Sequence, residues 1–172
     1  YNLALKLYQQ KRWVQAVEAC NEFITRYPAD EKLPLIRLYL AQAQVHQEQF
    51  AGAREEFRRF LTAYPQHSER PLALYRVGEC SYFLGQLDVA RGELRAFLQE
   101  FDKHELAPWA LVYLGETELR RQDFAAAEPI FRQYRERFPQ GALLDEAEMG
   151  LARSLEGLNR KTEALEVYRL LS

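Results

Sequence analysis

Apolar residues along this chain recur in steps of three and four, a spacing that predicts helices from end to end and no strand. Leu74, Val77, Gly78 and the run from Cys80 to Leu84 read as one helix, and Val89, Ala90, Leu94 and Phe97 as its partner. The two meet at Leu84-Gly85-Gln86, where the turn calls for a left-handed backbone that Gly85 adopts without a Cβ clash. Asn159 stands at the matching position later in the chain, and Lys11, Glu48 and Gln122 stand there elsewhere, at a strain of about 1 kcal/mol relative to glycine.

The pattern repeats at a fixed interval of 37 residues. An aromatic recurs at Tyr27, Tyr64, Phe101 and Phe138, followed by Pro28, Pro65, Asp102 and Pro139. Alanine recurs at Ala16, Ala53, Ala90, Ala127 and Ala164, and a small residue at Ala4, Ala41, Gly78, Gly115 and Ala152. Bulky apolar residues recur at Phe23, Phe60, Phe97, Tyr134 and Leu171. Pro34, Pro71 and Pro108 fit the first turn of each leading helix, with Ser68 a candidate cap upstream of Pro71. Small columns let helix backbones approach and bulky ones fill the space between, so the expectation is antiparallel hairpins stacked side by side. The units fall at about 1–28, 29–65, 66–102, 103–139 and 140–172.

Leu114-Gly115, Phe124-Ala125-Ala126-Ala127, Phe131 and Phe138-Pro139 resemble the tetratricopeptide repeat signature: an aliphatic-glycine pair, a later alanine, an aromatic and a closing proline. The resemblance runs over the whole chain. It implies an all-α, right-handed superhelical solenoid of about five stacked antiparallel helical hairpins, and a scaffold that binds another protein. The aromatic-proline ending is similar to the repeats of bacterial cell-envelope proteins, such as the Tol-Pal coordinating protein and the outer-membrane β-barrel assembly lipoprotein. That likeness implies the periplasm or cell envelope, while the sequence leaves a cytoplasmic location open. Two departures stand out. Gln44, Ser81 and Glu118 replace a tyrosine usual in the leading helix, and Asp102 replaces a closing proline. The first and last helices lack neighbours to cover them, so the chain reads as an excerpt of a longer solenoid in which terminal repeats could self-associate.

Composition removes several classes of function. Twenty-three Lys and Arg against 25 Asp and Glu, a net charge of -2, give no drive toward nucleic acid. No window is long and apolar enough to cross a bilayer. His46, His67 and His104 fall in no metal-ligand spacing, and His67 and His104 share a column in interhelical loops, where a solvated polar residue is the default. No nucleophile elbow or phosphate-cradling glycine loop is present, so neither catalysis, metal nor cofactor is expected. Cys20 and Cys80 read as small buried hydrophobes too far apart for a disulfide.

Binding is expected on the leading helices, which such repeats turn toward a concave surface. Tyr39, Arg76 and Tyr113 occupy one column there, with Tyr75 in the next, Trp109 in another, and Gln42, Glu79 and Glu116 one turn on. Together they read as aromatic anchors flanked by two carboxylates, suited to a protein or peptide with apolar side chains and one or two basic residues. Arg95, on a trailing helix, reads as an outer-face residue remote from that surface. Competing readings are a structural spacer or self-association module, and the accessory repeat region of a larger enzyme.

Overall fold

A computed structural model describes residues 1–171. Its ten helices are α1 (Asn2–Gln9), α2 (Trp13–Arg26), α3 (Leu33–His46), α4 (Phe50–Ala63), α5 (Arg70–Phe83), α6 (Leu87–Glu100), α7 (Ala107–Arg120), α8 (Phe124–Arg137), α9 (Leu144–Gly157) and α10 (Lys161–Leu170). Among the described residues there is no strand, and Ser172 lies outside them. The helices group into two compact units, Tyr1–Leu84 with α1 to α5 and Gly85–Ser172 with α6 to α10.

All five tight turns adopt the left-handed backbone anticipated for them, with φ of 56° at Lys11, 57° at Glu48, 72° at Gly85, 60° at Gln122 and 61° at Asn159. The trailing helices α2, α4, α6 and α8 end at Tyr27, Tyr64, Phe101 and Phe138 with φ between -132° and -130°. Phe101 reaches the same geometry as the others although Asp102 follows it, so the aromatic rather than the proline marks the break.

Ser68 does not cap α5. The leading helices start instead on a side chain from the preceding loop or helix, which accepts the same amide in four successive repeats. The Lys32 N–H donates to Asp30 Oδ1 at 2.8 Å, the Glu69 N–H to His67 Nδ1 at 3.1 Å, and the Leu106 N–H to His104 Nδ1 at 3.2 Å. The fourth amide, on Leu143, donates to the Tyr134 hydroxyl at 3.1 Å. Gly141 occupies the histidine column there, and a Cβ on it would lie 2.5 Å from that hydroxyl. The two loop histidines are therefore structural, and each ring packs edge-on against the phenylalanine beneath it, Phe60 or Phe97. Each accepted amide satisfies a donor the helix start leaves open.

The alanine column is buried throughout, at no more than 1% exposure, where a larger side chain would wedge the hairpins apart. Around it the aromatic rings of α4 and α8 fill the layer between the leading helices on either side, α3 and α5 for Phe57 and Phe60 and α7 and α9 for Phe131. Phe131 on α8 lies between α7 and α9, so that a Cβ on Gly115 or Gly150 would stand 2.5 or 2.3 Å from its ring. Burying such a ring contributes about 1.5–3 kcal/mol.

A second recurring contact joins the first residue of a trailing helix to the last residue of the next leading helix. Trp13 stacks on His46 with centroids 4.0 Å apart, Phe50 stacks on Phe83 at 4.7 Å, and the Phe124 ring lies directly over the Cα of Gly157.

Two columns exchange apolar for ionic partners. Leu98 and Leu111 are half-buried and buried; one repeat later the same positions hold Arg135 and Glu148, which are hydrogen-bonded to each other. The departures from the usual tyrosine are likewise built in. Glu118 is fully buried on α7 and accepts from Arg95 at 2.9 Å and Arg121 at 2.6 Å, while Arg121 also donates to Asp88 at 3.0 Å. Arg95 is thus the partner of a buried carboxylate rather than a passive outer-face residue. Removing it would leave Glu118 in the interior with Arg121 as its remaining charged partner.

Candidate partner-binding site

In the first unit, Tyr39 and Gln42 lie on α3 and Tyr75, Arg76 and Glu79 on α5. Helical spacing places Tyr39 and Gln42 on one stripe, and α1 adds Tyr8 to it. The Tyr8 hydroxyl donates to Gln42 Oε1 at 2.8 Å, and its ring lies 4.9 Å from that of Tyr39 and 5.4 Å from Trp13. Burial raises the pKa of both tyrosines; Tyr1 adds to the rise at Tyr39, while the positive charge of Arg76 opposes it at Tyr8. Arg76 on α5 stands in the column of Tyr39 one repeat on.

Tyr75 offers no ring to a partner. It is 2% exposed, and its hydroxyl donates to Glu79 Oε1 at 2.9 Å. Glu79 is itself buried and accepts from Arg76 Nη1 at 2.5 Å. Burial works against the Arg76 charge, but the Glu79 carboxylate more than offsets it and holds the guanidinium pKa above its usual value. The Arg76 side chain keeps 26% exposure, and its Nε is buried without a hydrogen-bond partner.

In the second unit, Trp109, Tyr113 and Glu116 lie on α7. Trp109 sits in the first turn and is 43% exposed, an unusual degree for the largest apolar side chain. Tyr113 is half-buried one turn on. Glu116 is met from α9 by Arg153, whose Nη1 lies 3.3 Å from both carboxylate oxygens. Arg153 and Met149 occupy on α9 the columns of Glu116 and Val112, and Met149 is 44% exposed.

The residues singled out from the sequence therefore divide by chemistry. Tyr39, Gln42, Arg76, Trp109 and Tyr113 keep exposed or half-buried surface; Tyr75 and Glu79 are interior; Glu116 is ion-paired. Both carboxylates that suggested a basic partner already hold an arginine of this chain. Tyr8 and Met149, absent from the sequence-based set, belong to the same faces. Tyr8 was legible as the column mate of Val45, but only the hydrogen bond to Gln42 reveals its position.

Among the described residues, no group of three or more His, Cys, Asp and Glu could hold a metal ion. No helix among them is long and apolar enough to cross a membrane. Cys20 and Cys80 are buried thiols not joined in a disulfide, and burial pushes the Cys20 thiol up to about 12, which holds it as the unreactive neutral form.

A family profile described as Outer membrane lipoprotein matches residues 1–104, and one described as Tetratricopeptide repeat matches residues 81–142. Among solved structures, a tetratricopeptide repeat protein from Parabacteroides merdae ATCC 43184 aligns with a TM-score of 0.81 at 18% identity, over 98% of this chain and 62% of that one. This chain thus spans less than two thirds of that protein's length. MamA aligns with a TM-score of 0.83 at 14% identity, over 98% of this chain and 85% of its own. A putative kinesin light chain of nearly identical TPR-like repeats from Podospora anserina aligns at 0.76 and 15% identity, over 98% and 89% of the two chains. No curated protein sequence matches. At these identities the structures share the all-helical repeat fold, a fold that generally serves as a protein- or peptide-binding scaffold.

Proposed function

The chain belongs to the YfiO family of outer membrane lipoproteins, and from that premise we propose that it is a non-enzymatic scaffold of a bacterial envelope assembly, periplasmic in location, that holds a partner segment along its leading helices. The observation that carries the reading is Trp109, a large aromatic left 43% exposed in the first turn of α7, with Tyr113 half-buried behind it and Met149 44% exposed on α9. Exposed aromatics beside a flexible thioether are what an interface uses as anchors, because they bury a large area at little entropic cost.

A photo-crosslinking residue at position 109 or 149 should trap a partner protein that the same residue at Glu136, on the exposed side of α8, does not. Trp109→Ala should then weaken the trapped partner by about 2 kcal/mol or more, the penalty for losing a buried anchor, and Glu136→Ala should leave it unchanged. Equal trapping from all three positions would move the site elsewhere.

Self-association through the terminal helices is the competing reading, supported by Leu3 and Leu170 at 61% and 74% exposure. A mass that rises with concentration in sedimentation and reverts to the monomer's in a Leu3→Gln, Leu170→Gln double variant would favour it over the scaffold.

A further inference from the structure

We infer that the α1–α3–α5 face of the first unit recognises a carboxylate, an Asp or Glu side chain flanked by apolar residues in the partner segment. The inference rests on the scaffold reading above and specifies its partner. It reverses the basic preference that Glu79 and Glu116 suggested as bare sequence positions.

Three observations carry it. First, both acids of the leading-helix columns are neutralised within the chain, Glu79 by Arg76 and Tyr75 and Glu116 by Arg153. Neither carboxylate remains to attract a cation. Second, the groups that do remain are donors. The Tyr8 hydroxyl occupies Gln42 Oε1, which leaves the amide nitrogen of Gln42 as that side chain's uncommitted end. Arg76 is fixed in place by Glu79 at Nη1 and its side chain retains 26% exposure, so what it offers a partner is the outer part of the guanidinium and not the buried Nε. A guanidinium held rigid by one carboxylate has already lost the side-chain entropy that a second anion would otherwise have to overcome, so a further charge-assisted bond forms at reduced cost. Third, the sign of the surroundings agrees. The first unit carries eleven Lys and Arg against nine Asp and Glu, whereas the second carries twelve against sixteen.

The Tyr8 and Tyr39 rings beside Gln42 supply the apolar floor, so the acid is read together with an adjacent aliphatic or aromatic side chain. The long-range field of the unit steers the segment, and the Arg76–Gln42 pair fixes its register.

The test uses the complete chain and three fluorescein-labelled peptides, acetyl-Ser-Leu-Phe-Xaa-Leu-Ser-amide with Glu, Gln or Lys at Xaa, read by anisotropy. The Glu peptide should bind about tenfold more tightly than the Gln peptide, as one charge-assisted bond in place of a neutral one implies, and the Lys peptide most weakly. Because Arg76→Gln alone would strand the buried Glu79, the decisive variant is Arg76→Gln with Glu79→Gln, which removes both charges; circular dichroism confirms its fold. In that variant the Glu and Gln peptides should bind equally, and Gln42→Ala should narrow the gap between them. A Lys peptide bound as tightly as the Glu peptide, a preference that survives in the double variant, or no binding of any peptide would overturn the inference. Binding of the Lys peptide that is lost in Trp109→Ala would do so while leaving the scaffold reading intact.

Discussion

Replacing His67 by alanine removes the acceptor of the Glu69 amide and the ring that packs on Phe60 at once. The expected cost is about 1–2 kcal/mol, the range for a lost helix cap. His67→Asp should recover part of it, because Asp30 already serves the equivalent amide in the preceding loop with a carboxylate alone. Urea denaturation of the two variants separates cap from ring: equal midpoints would mean that the amide bond contributes nothing. His104 should behave in the same way. The recurrence of His67 and His104 was visible in the sequence; their task was not. A histidine in a polar loop looks solvated until the amide two residues on is found pointing at Nδ1. The substitution of Tyr134 and Gly141 for Phe97 and His104 is the clue, since one column gains a hydroxyl where the other loses its acceptor.

Helices of this chain meet through rings set against residues without side chains. Phe131 occupies the space that Cβ atoms on Gly115 and Gly150 would fill, and the approach to Gly150 is the closer. Gly150→Ala should therefore destabilise the chain by about 1–3 kcal/mol through overpacking, despite alanine's better helix propensity. Phe131→Leu should restore part of the loss in the double variant, which thermal denaturation of the four proteins reads as a cycle. Additive losses would show that Phe131 is not the obstruction. The small column containing Gly115 was legible from the repeat interval alone. Gly150 was not, because it falls in the column of Tyr39, Arg76 and Tyr113, where the pattern pointed outward to a partner. The ion pairs were hidden for a related reason: Arg135 and Glu148 fill columns that are leucine one repeat earlier, so periodicity predicts burial but not charge.

Stability of the whole molecule should hold a plateau in pH bounded by three kinds of group. His46, stacked on Trp13, has its pKa lowered from 6.5 by burial, with the charges of Arg76 and Lys11 adding to the effect. The native state therefore binds fewer protons than the unfolded chain below about pH 6.5, and stability falls as pH drops from there. Glu128 and Glu163 are lowered from 4.5 chiefly by hydrogen bonds from Arg132 and Arg160 respectively, so a second decline begins below about 4.5. Cys20 has the opposite sign. Its pKa rises from 9.0 to about 12 by burial, so its contribution is complete below 9 and is lost as pH climbs toward 12. Guanidinium denaturation across pH should show these limbs; His46→Gln should flatten the first and Cys20→Ala the alkaline one, and unchanged slopes would refute the assignments. The fold at this scale was readable because a repeat states its geometry five times over. The binding face is stated once per column with a different residue each time, and which of those residues are already paired within the chain depends on contacts between helices that no interval reveals. The stacked junctions carry the same lesson into the history of the molecule. Trp13 on His46, Phe50 on Phe83 and Phe124 over Gly157 are three chemically different joints at one geometric position. A duplicated or transplanted hairpin would match its new neighbours in length and angle yet bring a ring to meet a ring that was shaped for a glycine. The array is modular in its backbone and individual at its seams, so recombination can lengthen such a chain only where both sides of a joint travel together.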